Sequence, residues 1–221
     1  MLRLRQIIQP GHLVPPAVAL AVCIMMVAVF DGAAPKKAKA VADQQPAADE
    51  KKTTNRAEEA FSPYVDKGGK ISLPKGYKQK WAHLGSWAVA KKKGETIHEM
   101  HNVYTQPESI AAYNKTGEFP DGAVLVKEVR ETKADRLTTG HSAWSTKMKI
   151  WFVMIKDRKE RFKDSDHWGD GWGWALFEAK DPTKNVSAGY DTSCIACHAP
   201  VADNDWVYTY GYSDLKQPKK K

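Results

Sequence analysis

The chain has 221 residues, 42% of them apolar, enough for one domain of ordinary size with tails. A formal charge of +8 would suit nucleic acid, but the excess sits at the two ends. Arg3, Arg5, Lys36, Lys37 and Lys39 face only Asp31, Lys216 and Lys219 to Lys221 close the chain, and the near-neutral body between excludes a basic face built for phosphates.

Arg3 and Arg5 precede the apolar run AVALAVCIMMVAVF at 17–30, and AKA at 38–40 and GAA at 32–34 are acceptable cleavage sites. This predicts an export signal over residues 1–40, in which Cys23 is apolar filler. An uncleaved anchor is the alternative, since the apolar run from Leu13 is about the minimum length to span a bilayer, although Pro15 and Pro16 interrupt its start. Either way the body is expected in the periplasm. Residues 41–60 hold almost no large apolar side chain and read as a disordered linker. A folded unit is expected over 61–215, with a basic tail at 216–221.

The fold class expected is mainly β (α+β): an antiparallel sheet with a few short helices. Strands are predicted at 81–90 and 97–105. A short helix follows at 106–117, with Pro107 at its first position and Gly117 at its stop. FPDG at 119–122 is a turn, and AVLVKEV at 123–129 is a strand. MKIWFVMI at 148–155 is apolar on both faces and is predicted to be central. GWGWALFE at 171–178 and WVYTYGY at 206–212 read as aromatic strands. Between these two, Asp191, Thr192 or Ser193 is expected to cap a short helix carrying Cys194, Cys197 and His198.

That Cys-x-x-Cys-His run is the sharpest motif. A disulfide across two residues is strained and rare as a staple. A zinc site lacks a second cysteine pair, and a thioredoxin-like site lacks its βαβ context. The remaining reading is attachment of one c-type haem. A helical turn sets both sulfurs along one porphyrin edge, where each adds to a vinyl group, and His198 then lies beneath the iron as proximal ligand. Export agrees with this reading. The other axial position has candidates in Met100, Met148, Met154, His83, His98, His101, His141 and His167. None sits in an obvious ligand loop, so filled and open sixth sites both stand.

A second clue is Lys127. Strand alternation puts Ala123, Leu125, Lys127 and Val129 on one face, so the lysine interrupts an apolar surface. It is either a snorkelling side chain or a desolvated amine with a lowered pKa and a larger nucleophilic fraction. The tryptophans Trp81, Trp87, Trp151, Trp172 and Trp174 are expected mostly in the core, with one or two against the porphyrin.

PESIAAYNKTGEFPDGAVLVKE at 107–128, MIKDRKERF at 154–162, and CIACH followed by an aromatic segment together resemble the cytochrome P-460 family, which includes the cytochromes c′-beta. The resemblance covers residues 70–212. It implies a mainly antiparallel β homodimer holding one covalent haem c, with His198 as proximal ligand. In the P-460 enzymes a strand lysine is bonded to the porphyrin, and its counterpart here is Lys127. Those enzymes oxidise hydroxylamine, with nitric oxide able to take part, while the c′-beta relatives bind such gases and lack the bond. Some enzyme members carry an arginine near the haem where His101 stands here. His101, with Glu99 on the same strand face, is therefore a candidate proton acceptor. The expectation is an exported mono-haem cytochrome of P-460 type acting on hydroxylamine and serving a redox partner protein. A gas binder and a simple electron carrier are the alternatives.

Overall fold

The computed structural model describes residues 61–217, so the predicted leader at 1–40, the linker at 41–60 and the end of the basic tail at 218–221 lie outside the described residues. After a short helix α1 (Tyr77–Lys80), strands β1 (Ala82–Val89) and β2 (Glu99–Thr105) pair antiparallel. Helix α2 (Pro107–Thr116) starts on Pro107, where the missing N–H costs nothing, and stops at Gly117 in the left-handed conformation, φ 84°. Strands β3 (Val124–Leu137), β4 (Gly140–Lys156), β5 (Trp168–Gly169), β6 (Trp172–Glu178) and β7 (Asp181–Asn185) complete a seven-stranded sheet. Its order is β1-β2-β3-β4-β6-β5, with β7 also pairing β6 and every pair antiparallel. The expected fold class is the observed one, and β4 is central as its two apolar faces required.

Period-two alternation sorts the sheet residues into two cores. Val124, Val126, Val153, Ile155, Ala175 and Phe177 pack with Ile71 and Tyr77 of the N-terminal segment. Leu125, Met154, Trp172 and Trp174 face the other way, against Tyr113 of α2 and the C-terminal residues Tyr190, Val207 and Tyr212. Each such fully buried side chain contributes on the order of 1.5–3 kcal/mol. The second face is the one that matters for function, because the Cys-x-x-Cys-His segment covers it.

Four expectations change. Residues 206–212 are not a strand: the chain runs through left-handed turns at Asp205 and Trp206 and a 3-10 turn at Thr209–Gly211. Aromatic content imitates strand propensity there, but these rings fill the face of a sheet whose ladder is already complete. Gly211 lies so close to Trp87 that a Cβ would sit 1.9 Å from the indole. The helix carrying the motif is two single turns, α3 (Tyr190–Ser193) and α4 (Ile195–His198), kinked at Cys194 with φ −126°. Asp191, Thr192 and Ser193 lie inside α3 and cap neither turn. Finally, β3 and β4 run past the sheet as a hairpin arm closed at 138–139, and β5 and β7 are additional strands. The arm alternates no apolar residues, which hid it from a periodicity reading.

Candidate functional site

The C-terminal segment is pinned to the sheet by aromatic packing. The Tyr190 ring stacks on Trp174 at 5.3 Å and 25°, and it fits only because Gly169 has no side chain, since a Cβ there would lie 2.2 Å from the ring. The Tyr190 hydroxyl donates to Asp170, and desolvation together with this acidic partner raises its pKa. From that anchor the backbone makes the turn the motif needs. The N–H groups of Cys197 and His198 both donate to the Cys194 carbonyl, at 3.2 and 3.3 Å. Cys194 is buried, Cys197 is exposed, and both are free thiols. Burial pushes the Cys194 thiol up, a push that Ser187 and Lys127 oppose. Among the described residues no group of three or more His, Cys, Asp and Glu is placed to hold a metal ion.

Cys194, Cys197 and His198 line a cavity of about 220 Å³ whose other wall is the sheet: Leu125, Lys127, Phe152 and Trp174. Lys127 pairs with Phe152 across β3 and β4, and its Nζ lies 4.3 Å from the Phe152 ring centroid. Its pKa is lowered by burial first, with the nearby Cys197, Cys194 and Glu99 pulling the other way. Of the two readings of Lys127, the desolvated amine is the one the surroundings support.

The His198 ring is oriented from behind. Its Nδ1–H donates to the Trp206 carbonyl at 2.8 Å, which fixes the tautomer and leaves Nε2 with its lone pair. Trp174 meets the ring edge-on at 4.7 Å. Burial lowers the imidazole pKa and Lys127 adds repulsion, outweighing the Trp206 carbonyl, which favours the neutral ring. The Tyr208 hydroxyl donates to the Cys197 carbonyl at 2.5 Å and closes the segment on itself.

A second cavity of about 240 Å³ adjoins the first, sharing Lys127, Tyr208 and Tyr212, and it contains His101 and Trp87. His101 Nε2 lies 3.3 Å from Glu99 Oε2, and Lys149 donates to the other oxygen of Glu99. Burial lowers the His101 pKa and outweighs the opposite pull of Glu99. The Lys149 ammonium holds the Glu99 carboxyl below its usual range. Glu99 is thus an anionic partner for His101, with Lys149 beyond it at the surface.

Of the eight axial candidates, Met154 and His101 line these two cavities. Met154 is packed in the core beside Trp172 and Trp174. His83 faces away, against Tyr104 and Ser86, and His167 is held at the Ser187 carbonyl. His141 lies in the hairpin arm, while His98 precedes β2 beside Glu99. Strand alternation turns Met100 and Met148 to the sheet face opposite His101. Of the five tryptophans, Trp174 and Trp87 line the cavities, and the other three are packed in the two cores.

Sequence reasoning did not single out Phe152, the Trp206 carbonyl or the tyrosines Tyr208 and Tyr212. Phe152 was findable, since alternation in MKIWFVMI puts it beside Met154. The Trp206 carbonyl was not, because a backbone acceptor leaves no residue signature.

The residues present fit a porphyrin. Two free thiols and an imidazole with an open Nε2 stand on one wall, an apolar sheet on the other, and the two adjoining cavities extend along it. Residues 74–209 match the family model described as Cytochrome P460, more than half of the chain. No curated protein matches the chain.

Proposed function

The chain belongs to the cytochrome P460 family of haem proteins, and from that premise we propose that it is an exported mono-haem c-type cytochrome oxidising hydroxylamine at an open iron site. The observation that supports this most is Lys127, a half-buried, desolvated amine on the wall of the same cavity as Cys194, Cys197 and His198. A carrier that only relays electrons has no use for a desolvated lysine beside its cofactor.

The division of labour follows from the residues. Cys194 and Cys197 would hold the haem by thioether bonds, and His198 would offer Nε2 to the iron while its Nδ1–H stays with Trp206. The haem supplies a redox-active iron to which hydroxylamine nitrogen can bind. Lys127 stands for the ring-bonded lysine of the enzymes. His101 accepts a substrate proton, and Glu99 stabilises the resulting imidazolium. Lys149 neutralises that carboxylate when His101 is uncharged. Electrons leave to a redox partner protein. The basic then apolar start of the chain supports export to the periplasm, and the resemblance supports a homodimer.

A gas-binding role, with nitric oxide as ligand, is the second reading. It is favoured by the Lys127 amine resting over Phe152, where a cation–π contact can hold it unbonded. The test is the absorption spectrum of the matured protein, then again in alkaline pyridine. For the enzyme, a broad, red-shifted Soret band survives unfolding in altered form, Lys127→Leu restores an ordinary haem c spectrum, and hydroxylamine reduces an artificial acceptor. An ordinary spectrum in the wild type with no turnover rejects the enzyme and leaves the gas binder. Six-coordinate low-spin iron that changes in His101→Ala would instead support the carrier.

A further inference from the structure

Behind His198 the chain takes an expensive path. Asp205 (φ 56°) and Trp206 (φ 64°) are consecutive left-handed residues, a conformation that aspartate tolerates but a bulky indole side chain does not favour. The turn is closed by the Trp206 N–H on the Val201 carbonyl at 3.1 Å and the Val207 N–H on the Asn204 carbonyl at 3.2 Å. Its result is to aim the Trp206 carbonyl at His198 Nδ1. Such a turn persists only if something overdetermines it.

The anchor is Asp205, a buried side chain whose two oxygens are both used. Oδ2 accepts the Phe119 N–H at 2.7 Å, and Oδ1 accepts from Lys156 Nζ. Lys156 is the last residue of β4 and is also buried, with its ammonium 4.8 Å from the Trp172 ring centroid. The pair therefore ties the turn to the central strand and to the α2–β3 connection at once. It lies outside the cavity and touches neither cysteine.

We propose that the Lys156–Asp205 ion pair is a positioning device for the proximal imidazole, holding the Trp206 carbonyl against His198 Nδ1–H and so setting how strongly His198 donates to the iron. This rests on the haem reading of His198. A strong Nδ1–H···O=C bond gives the imidazole more anionic character, which favours the ferric form. The purely structural alternative is also concrete: buried ion pairs are often replaceable by apolar pairs at no loss of stability.

The test compares the full chain, matured with haem, as wild type, Lys156→Met, Lys156→Arg and the double variant Lys156→Met/Asp205→Leu. The double variant leaves no unpaired buried carboxylate, so it reports even if Lys156→Met fails to fold. The expected result is an upward shift of the reduction potential and a downward shift of the ferrous iron–imidazole stretch by resonance Raman, in Lys156→Met or the double variant. Lys156→Arg should retain wild-type values. Unchanged potential and stretch in the variants that fold would overturn the proposal. If the wild-type chain carries no haem, the haem reading fails by that fact alone. The pair is then read in the chain as purified, by nitrogen-15 NMR of His198. A slowly exchanging Nδ1 proton that is lost in the double variant supports positioning, and one that persists overturns it.

Discussion

At the scale of single residues, burial without a partner and burial with one give opposite results. Among the described residues Lys127 has no ion-pair partner, Glu99 acting on it only through space, and burial lowers its pKa. Glu128, the next residue and on the other sheet face, is also desolvated, but Lys78 at 2.5 Å, Tyr77 and Arg130 outweigh that and hold its carboxyl below the usual range. A carboxyl depressed in the folded state contributes stability that is fully present above its unfolded pKa, about 4.3. The contribution is lost as pH falls through the lower folded value. Urea midpoints should therefore drop below about pH 4 in the wild type and drop less in Glu128→Gln, which should itself cost about 2 kcal/mol at pH 7. His101 shifts the same way for the opposite reason, since burial here disfavours the charged form. Burial lowers its pKa, so it stays a neutral base to a pH below the ordinary histidine value. If it accepts the substrate proton, the acid limb of hydroxylamine oxidation lies below about pH 6.5, and His101→Ala loses on the order of 100-fold in rate. Gly169→Ala drives a methyl into the Tyr190 ring. It should cost about 1–3 kcal/mol and lower the yield of attached haem, measured by pyridine haemochrome against total protein.

At the scale of elements, strands with one face in a core were legible, and segments that serve each other were not. The alternation of β3 correctly separates Leu125 and Lys127 from Val124, Val126 and Glu128. Its end from Lys133 to Leu137 is exposed and mostly polar and pairs only with the start of β4. Bulges between Val129 and Thr132 mark where the arm leaves the sheet. Leu137 and Trp144 are 48% and 41% exposed on it. Replacing residues 133–144 by an Asn-Gly turn keeps the Thr132 hydroxyl on the Ile97 carbonyl and should change unfolding stability by less than about 1 kcal/mol. A loss of several kcal/mol by denaturant titration would mean that the arm supports the core. The misread segment at 206–212 fails for the converse reason. Its aromatic residues satisfy partners elsewhere in the chain, Trp87 and Tyr190 among them, so local pattern carried the wrong message.

At the scale of the whole molecule, one sheet face is closed by the N-terminal segment and the other by a chain carrying the thiols and the imidazole. The cavity exists because the C-terminal chain spans Leu125, Lys127 and Phe152 through tyrosines at its margins rather than packing flush. Expression with the native N-terminus in a host that matures c-type cytochromes should put the holoprotein in the periplasmic fraction. Cytoplasmic retention with no haem attached would remove the export proposal.

The antiparallel β class, the motif Cys194-Cys197-His198 and the lysine that interrupts an apolar strand face are all legible in the linear order of residues. These are local: periodicity, spacing and residue type are properties of a short stretch. Folding in three dimensions settles which face of the sheet the motif covers, that Phe152 lies across from Lys127, and that His198 donates to the Trp206 carbonyl with the Lys156–Asp205 pair behind the turn. Those depend on register between distant strands and on backbone groups, and a backbone carbonyl is the same in every residue.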